Sequence, residues 1–200
     1  MGQMDNITDT IRQYIIDSKP GTLFCIGDFT KTYAYENVKK SLQRIAKQEI
    51  IEKVVDGIYV KPQYSTILNK KVNVSIKSIV EKIAAKNSWE ITPTGNTALN
   101  ILKISTQVPG KYEYLTDGPA RKYKINNQEI TLKETNNKNI RNMSYESRLV
   151  VQALKTLGEG NISNEVLETI RSDFSEDIIN KIKEETAHVS PWIYEYIKRI

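Results

Sequence analysis

The sequence predicts an α+β protein built in two parts. Three observations lead there. Residues 5–62 hold one-sided apolar stripes at helical spacing, then two short apolar runs joined at Asp56-Gly57. Residues 111–134 hold three strand-like runs separated by turn residues. Beyond residue 145 the apolar positions return to helical spacing.

The elements follow in order. Ile7, Ile11, Tyr14 and Ile15 recur at i, i+4, i+7 and i+8, which predicts a helix over residues 5–18 with Asp5 as its N-cap and Pro20-Gly21 closing it. Leu23–Ile26 reads as a short strand. Asp28 is placed to cap a second helix over 29–33. The third helix is expected over about 35–48, with Val38, Leu42 and Ile45 on one face. At roughly 100° per residue, Lys40 and Lys47 point the opposite way, flanked by Asn37, Gln43 and Arg44. Residues 50–55 and 58–60 have strand composition, and Asp56-Gly57 between them is a hairpin signal. Helix, strand, helix, helix and hairpin within some sixty residues is the order of a winged helix–turn–helix, assigned here to residues 1–65.

Residues 63–75 read as a polar connector. The second domain, 75–200, is expected to be α+β with a small antiparallel sheet and terminal helices. A helix over 76–87, a short strand at 89–91, and a turn at Thr94-Gly95 into another helix come first. A three-stranded meander over 111–134 comes next. The polar stretch Asn136–Asn142 is expected to be mobile. Helices then follow near 146–157, 164–172 and 175–186, and from Pro191, a residue suited to a first helical position.

Charge is unevenly distributed along the chain. Residues 1–65 carry 9 Lys/Arg and 8 Asp/Glu, residues 66–142 carry 13 and 6, and residues 143–200 carry 7 and 10. A basic middle and an acidic tail suit an electrostatically uneven surface, and Lys-rich coding bias would give the same pattern. No apolar run approaches the ~20 residues of a membrane span. MGQMDNITDT has no basic region leading into an apolar core, so no signal peptide is expected. The single cysteine, Cys25, excludes an internal disulfide and fits a reducing, cytoplasmic setting.

A helix face of this composition suits double-stranded DNA. Lys and Arg neutralise phosphates, and Arg and Asn match guanine and adenine edges in the major groove. Asn37 and Arg44 are the base-reading candidates. Lys40, Gln43 and Lys47 complete the face. Lys53 and Lys61 on the hairpin suit the adjacent backbone, and Tyr35 could bond a phosphate. A solvated helix face is also commonly Lys-rich, so the winged order around the helix carries the reading. A winged helix that binds a protein and no DNA is the competing class.

Enzyme signatures are weak. One His and one Cys make no ordinary zinc site, so no metal is expected. Cys25 lies in an apolar run and reads as a buried structural thiol. No carboxylate cluster suits two-metal chemistry, no cofactor is implied, and the chain reads as a non-enzyme. Thr92–Pro109 lacks the Gly-Lys-Ser/Thr of a phosphate-binding loop. It reads rather as a strand-to-helix turn capped by threonine, with anion binding as the lesser alternative.

The run Gly21-Thr22-Leu23-Phe24, Gly27-Asp28-Phe29, Val38, Leu42, Arg44-Ile45 and Gly57-Ile58-Tyr59 continues into Pro93-Thr94-Gly95, Ser105–Pro109 and Tyr114–Gly118. This pattern resembles the AbiEi-like antitoxins of type IV toxin–antitoxin systems over about residues 5–160, and more closely an AbiEi-related bacterial family. The resemblance implies an operon autorepressor whose winged helix binds operator DNA through positions matching Lys40, Arg44, Lys47 and Lys53. It implies a second domain that counters a nucleotidyltransferase-like toxin, a functional or direct partner. A homodimer on repeated half-sites would raise DNA affinity.

Overall fold

A computed structural model of the chain describes residues 3–67, 69–135 and 142–200. The protein is α+β and divides into two compact units, Met1–Ser88 and Trp89–Ile200. The division falls after the helix that follows the polar connector, so that helix belongs to the first unit and not to the second.

The first unit opens with α1 (Gln3–Asp17), which places Asp5 inside the helix rather than at its cap. Strand β1 (Leu23–Cys25) runs into one turn of 3-10 helix, Ile26–Asp28. The second α-helix expected over 29–33 is a set of turns instead. Asp28 caps no helix over 29–33; its carboxylate instead accepts from the Cys25 amide at 2.7 Å, which closes the start of the 3-10 turn, and from Lys82 at 2.7 and 2.8 Å. Helix α2 (Tyr35–Lys47) follows, then β2 (Glu52–Val55) and β3 (Ile58–Val60). The sheet order is β1-β3-β2, antiparallel throughout. Ile11, Ile15, Phe24, Val38, Leu42 and Ile45 lie at the centre of the core. Thr8 and Ser41 share a buried hydroxyl–hydroxyl bond of 2.9 Å that joins α1 to α2.

Residues 63–75, expected to be a connector, contain a second hairpin, β4 (Gln63–Ser65) and β5 (Lys70–Val72). Helix α3 (Ile76–Asn87) then folds back, capped by Ser75, whose hydroxyl accepts from the Ser78 amide. Lys82 reaches Asp28, and Lys86 donates to the Asp56 carbonyl at 2.8 Å.

In the second unit β6 (Ile91–Thr94) leads into α4 (Gly95–Ile101), then β7 (Lys111–Thr116), β8 (Arg121–Ile125) and β9 (Gln128–Glu134). The sheet order is β6-β7-β9-β8, with β7 and β9 parallel, so the three strands are not the expected antiparallel meander. Burial explains the exchange. Ile130 and Leu132 of β9 are buried and take a central position, while β8 exposes Arg121, Lys122 and Lys124 and takes the edge. The β8–β9 hairpin closes over Asn126-Asn127, with Asn126 in the left-handed region. The β7-to-β8 connection closes on Trp89. A Cβ at Gly118 would collide with that indole, and the Arg121 guanidinium lies 5.1 Å over its ring.

Helices α5 (Tyr145–Leu157), α6 (Asn164–Ser172), α7 (Glu176–Glu185) and α8 (Pro191–Ile197) complete the unit. With α4 they enclose a core centred on Leu102, Leu154, Ile170, Ile182 and Ile193. Pro191 occupies the first turn of α8, as expected, whereas the Ser175 side chain makes no capping bond. Residues 136–141 of the polar stretch fall outside the described residues. Among the described residues, no helix is long and apolar enough to cross a membrane.

Candidate nucleic-acid interface

The rotation of α2 is set by its buried face. Val38, Ser41, Leu42 and Ile45 are buried against α1, β1 and β3, and they span an arc of about 100°. The opposite arc must face solvent. Lys40, Gln43 and Lys47 lie there, all exposed, with Arg44 exposed on one flank and Asn37 half-buried beside it. Tyr35 opens the helix and is 56% exposed. Thus Asn37, Lys40, Gln43, Arg44 and Lys47 share one surface. Among the described residues, Lys40 and Lys47 make no ion pair, whereas Lys39 lies 3.8 Å from Glu36.

The two hairpin lysines behave differently. Lys53 on β2 is exposed and pairs with Asp56 at 2.5 Å. That hydrogen bond and the charge behind it raise the Lys53 pKa and lower that of Asp56. Both groups are in water, so the pair adds little to stability. Lys61 is not on the α2 face. Its ammonium donates to the Ile16 carbonyl at 2.5 Å and the Ser18 carbonyl at 2.7 Å. Those are open carbonyls at the C-terminus of α1, where a cation is favoured. Lys61 is a helix-end clamp, which the sequence could not reveal because its partners lie more than forty residues away.

A groove of about 940 Å³ runs beside the C-terminal half of α2. Gln43, Lys47, Glu49, Glu52, Tyr59 and, from β4, Tyr64 are among the residues that line it. The β4–β5 hairpin is therefore part of this surface. The connector reading overlooked it; the signal that could have found it is Asn69, a turn residue at φ 45° ahead of Lys70-Lys71-Val72.

The other features singled out in the sequence are accounted for within the fold. Thr94 sits at the N-cap of α4, yet its hydroxyl donates to Gln152 at 3.2 Å and caps nothing. The Glu113 carboxylate lies against Gly95, which disfavours an anion there. Thr97 accepts from the Glu113 amide at 2.8 Å. The segment is a strand-to-helix turn held by side chains, without the threonine cap. Cys25 is buried and His188 is exposed. Among the described residues, no group of three or more His, Cys, Asp or Glu side chains is placed to hold a metal ion.

Comparison with the curated proteins gives no match. Residues 10–186 match the model of a family of unknown function, DUF6088, a span that begins within α1, crosses both units and stops just after α7. The chain therefore belongs to the DUF6088 family.

Proposed function

We propose that this protein is a cytoplasmic DNA-binding autorepressor with antitoxin activity of the AbiEi-like kind. The observation that carries the reading is the α2 surface, where exposed Lys40, Gln43, Arg44 and Lys47 and the half-buried Asn37 share one arc on a helix whose other face is packed into the core of the first unit. In this reading α2 enters the major groove of operator DNA. Lys40 and Lys47 neutralise phosphates, Asn37 and Arg44 address base edges, and Tyr35 holds a phosphate at the helix start. Two copies on repeated half-sites raise affinity. The second unit acts against a nucleotidyltransferase-like toxin, and no step of catalysis is assigned to this chain.

The test is a mobility shift with duplex DNA from the region upstream of the gene. The wild-type protein is expected to bind, with affinity falling steeply as salt rises. Lys40→Ala with Arg44→Ala is expected to weaken specific binding by roughly 2–4 kcal/mol, the loss of one phosphate and one base contact. A shift unchanged by this double substitution removes α2 as the recognition element. A wild-type protein that binds no DNA returns the winged helix to the protein-interaction class.

A further inference from the structure

The first unit carries two hairpins after α2, and they differ in burial and charge. The β2–β3 hairpin occupies the position of a wing, yet all three residues of β3 are buried. Its turn is held from behind. Lys86 of α3 donates to the Asp56 carbonyl at 2.8 Å, and a Cβ on Gly57 would lie 2.7 Å from the same ammonium. The Asp56 side chain, 97% exposed, presents a negative charge beside Lys53. A phosphate approaching that turn meets a carboxylate first.

The β4–β5 hairpin is its opposite. Its strands pair only with each other among the described residues. Residues 63–72 contain Lys70 and Lys71 and no acidic residue. Tyr64 is 68% exposed, and Ile67, near the turn, is 93% exposed, the highest value of any large described apolar side chain. Tyr64 stands directly across from Lys71, so both side chains share the face that looks into the groove beside Gln43 and Lys47. Lys71 there meets Glu52, while Lys70 is exposed on the other face with no ion pair among the described residues.

Resting on the DNA-binding reading above, we propose that β4 and β5, through Tyr64, Ile67, Lys70 and Lys71, act as the working wing of this protein and that its occupant is the duplex itself. One phosphodiester strand runs along the groove between α2 and the hairpin. The Tyr64 hydroxyl donates to a phosphate, and Lys71 exchanges Glu52 for a phosphate oxygen. Lys70 neutralises a phosphate of the neighbouring strand, and Ile67 packs against the minor-groove wall, where apolar side chains are commonly used. Lys47, Lys53, Lys70 and Lys71 outnumber Glu49 and Glu52, the acidic residues of the groove, and this excess, continuous with the α2 surface, selects DNA over a second copy of the chain.

The test uses the full-length protein and a labelled duplex from the gene's upstream region, with a scrambled duplex alongside. Lys70→Ala is expected to weaken binding to both duplexes alike and to lower the salt slope by about one. Lys70→Glu should weaken it further, and Lys70→Arg should bind like the wild type. Tyr64→Phe, which removes only the hydroxyl, should weaken binding with an unchanged thermal unfolding curve, and hydroxyl-radical protection should shorten on one flank. If Lys70→Glu and Tyr64→Phe bind and footprint as the wild type does, while Lys40→Ala with Arg44→Ala does not, the hairpin proposal is wrong and the α2 reading stands. A wild-type protein that binds neither duplex overturns both. An Ile67→Ser variant that loses self-association but keeps its DNA affinity per subunit also overturns the proposal and assigns the hairpin to a second copy.

Discussion

Helices α2 and α5 are each thirteen residues long, and both carry polar side chains along their length. On α2 most of those side chains stand away from the apolar face and are exposed; Ser41, bonded to Thr8, is buried and Asn37 is half-buried. On α5 Ser147, Arg148 and Gln152 are buried along with Leu149, Val150 and Leu154. Their partners are internal. Arg148 meets the Glu90 carboxylate, Gln152 accepts from Thr94, and Ser147 donates to Glu185 at 2.6 Å. Glu185 also takes the Ser144 amide and hydroxyl, each at 2.7 Å, so a carboxylate from the end of α7 caps the positive end of α5. A polar residue on a helix is thus no sign of a ligand surface until its partners have been traced. Substitutions on α2 should cost binding, and substitutions on α5 should cost stability.

The sharpest break of that contrast is at the core of α5. Leu154→Ala, at a fully buried position, should cost about 2–5 kcal/mol in denaturant unfolding. The Lys40→Ala, Arg44→Ala protein should unfold within about 0.5 kcal/mol of the wild type, as exposed substitutions do. Near-equal losses from the two variants would erase the distinction.

The next effect belongs to Glu185. Burial works to raise its pKa, but the Ser144 and Ser147 hydroxyls, the Ser144 amide and Lys181 together hold it below the ordinary value of 4.5. The stabilisation is therefore complete above that value and disappears as pH falls through the lowered one. Glu185→Gln should cost about 1.5–3 kcal/mol at neutral pH, the net worth of hydrogen bonds to a charged group. It should also flatten the acid limb of stability as pH falls below the ordinary value of 4.5. A wild-type curve equally flat over that range would remove the cap from the account.

The smallest effect is the most discriminating. Lys61 is a cation of the first unit that behaves like the polar residues of α5, since its donors are spent on α1. Lys61→Met should lower stability by about 0.5–1.5 kcal/mol and leave the salt dependence of DNA binding unchanged. A slope smaller by about one would return Lys61 to the phosphate-contacting set.

What could be read from the sequence followed from locality. The limits of α2, its buried face and the Asp56-Gly57 hairpin depend on neighbours a few residues apart, and apolar spacing records those directly. The α2 arc was legible for the same reason. The parallel pairing of β7 with β9 was not, because strand order is decided by which strand buries most, a comparison across the whole sheet. The Lys61 clamp and the capping of α5 by Glu185 join residues about forty positions apart, and neither leaves a local trace. The β4–β5 hairpin lacks the alternation and paired turn residues that mark most short hairpins.

The basic edge strand of the second unit has a consequence for the protein as a population of molecules. Among the described residues β8 ends its sheet, and one row of its backbone amides and carbonyls has no strand beside it. Such a row invites pairing with another chain. Arg121, Lys122 and Lys124 line this one. Two copies brought edge to edge would set like charges against each other at close range, a repulsion that a β-ladder does not easily overcome. Part of the positive charge of residues 66–142 thus keeps neighbouring copies from fusing their sheets at high concentration, whatever else those lysines do.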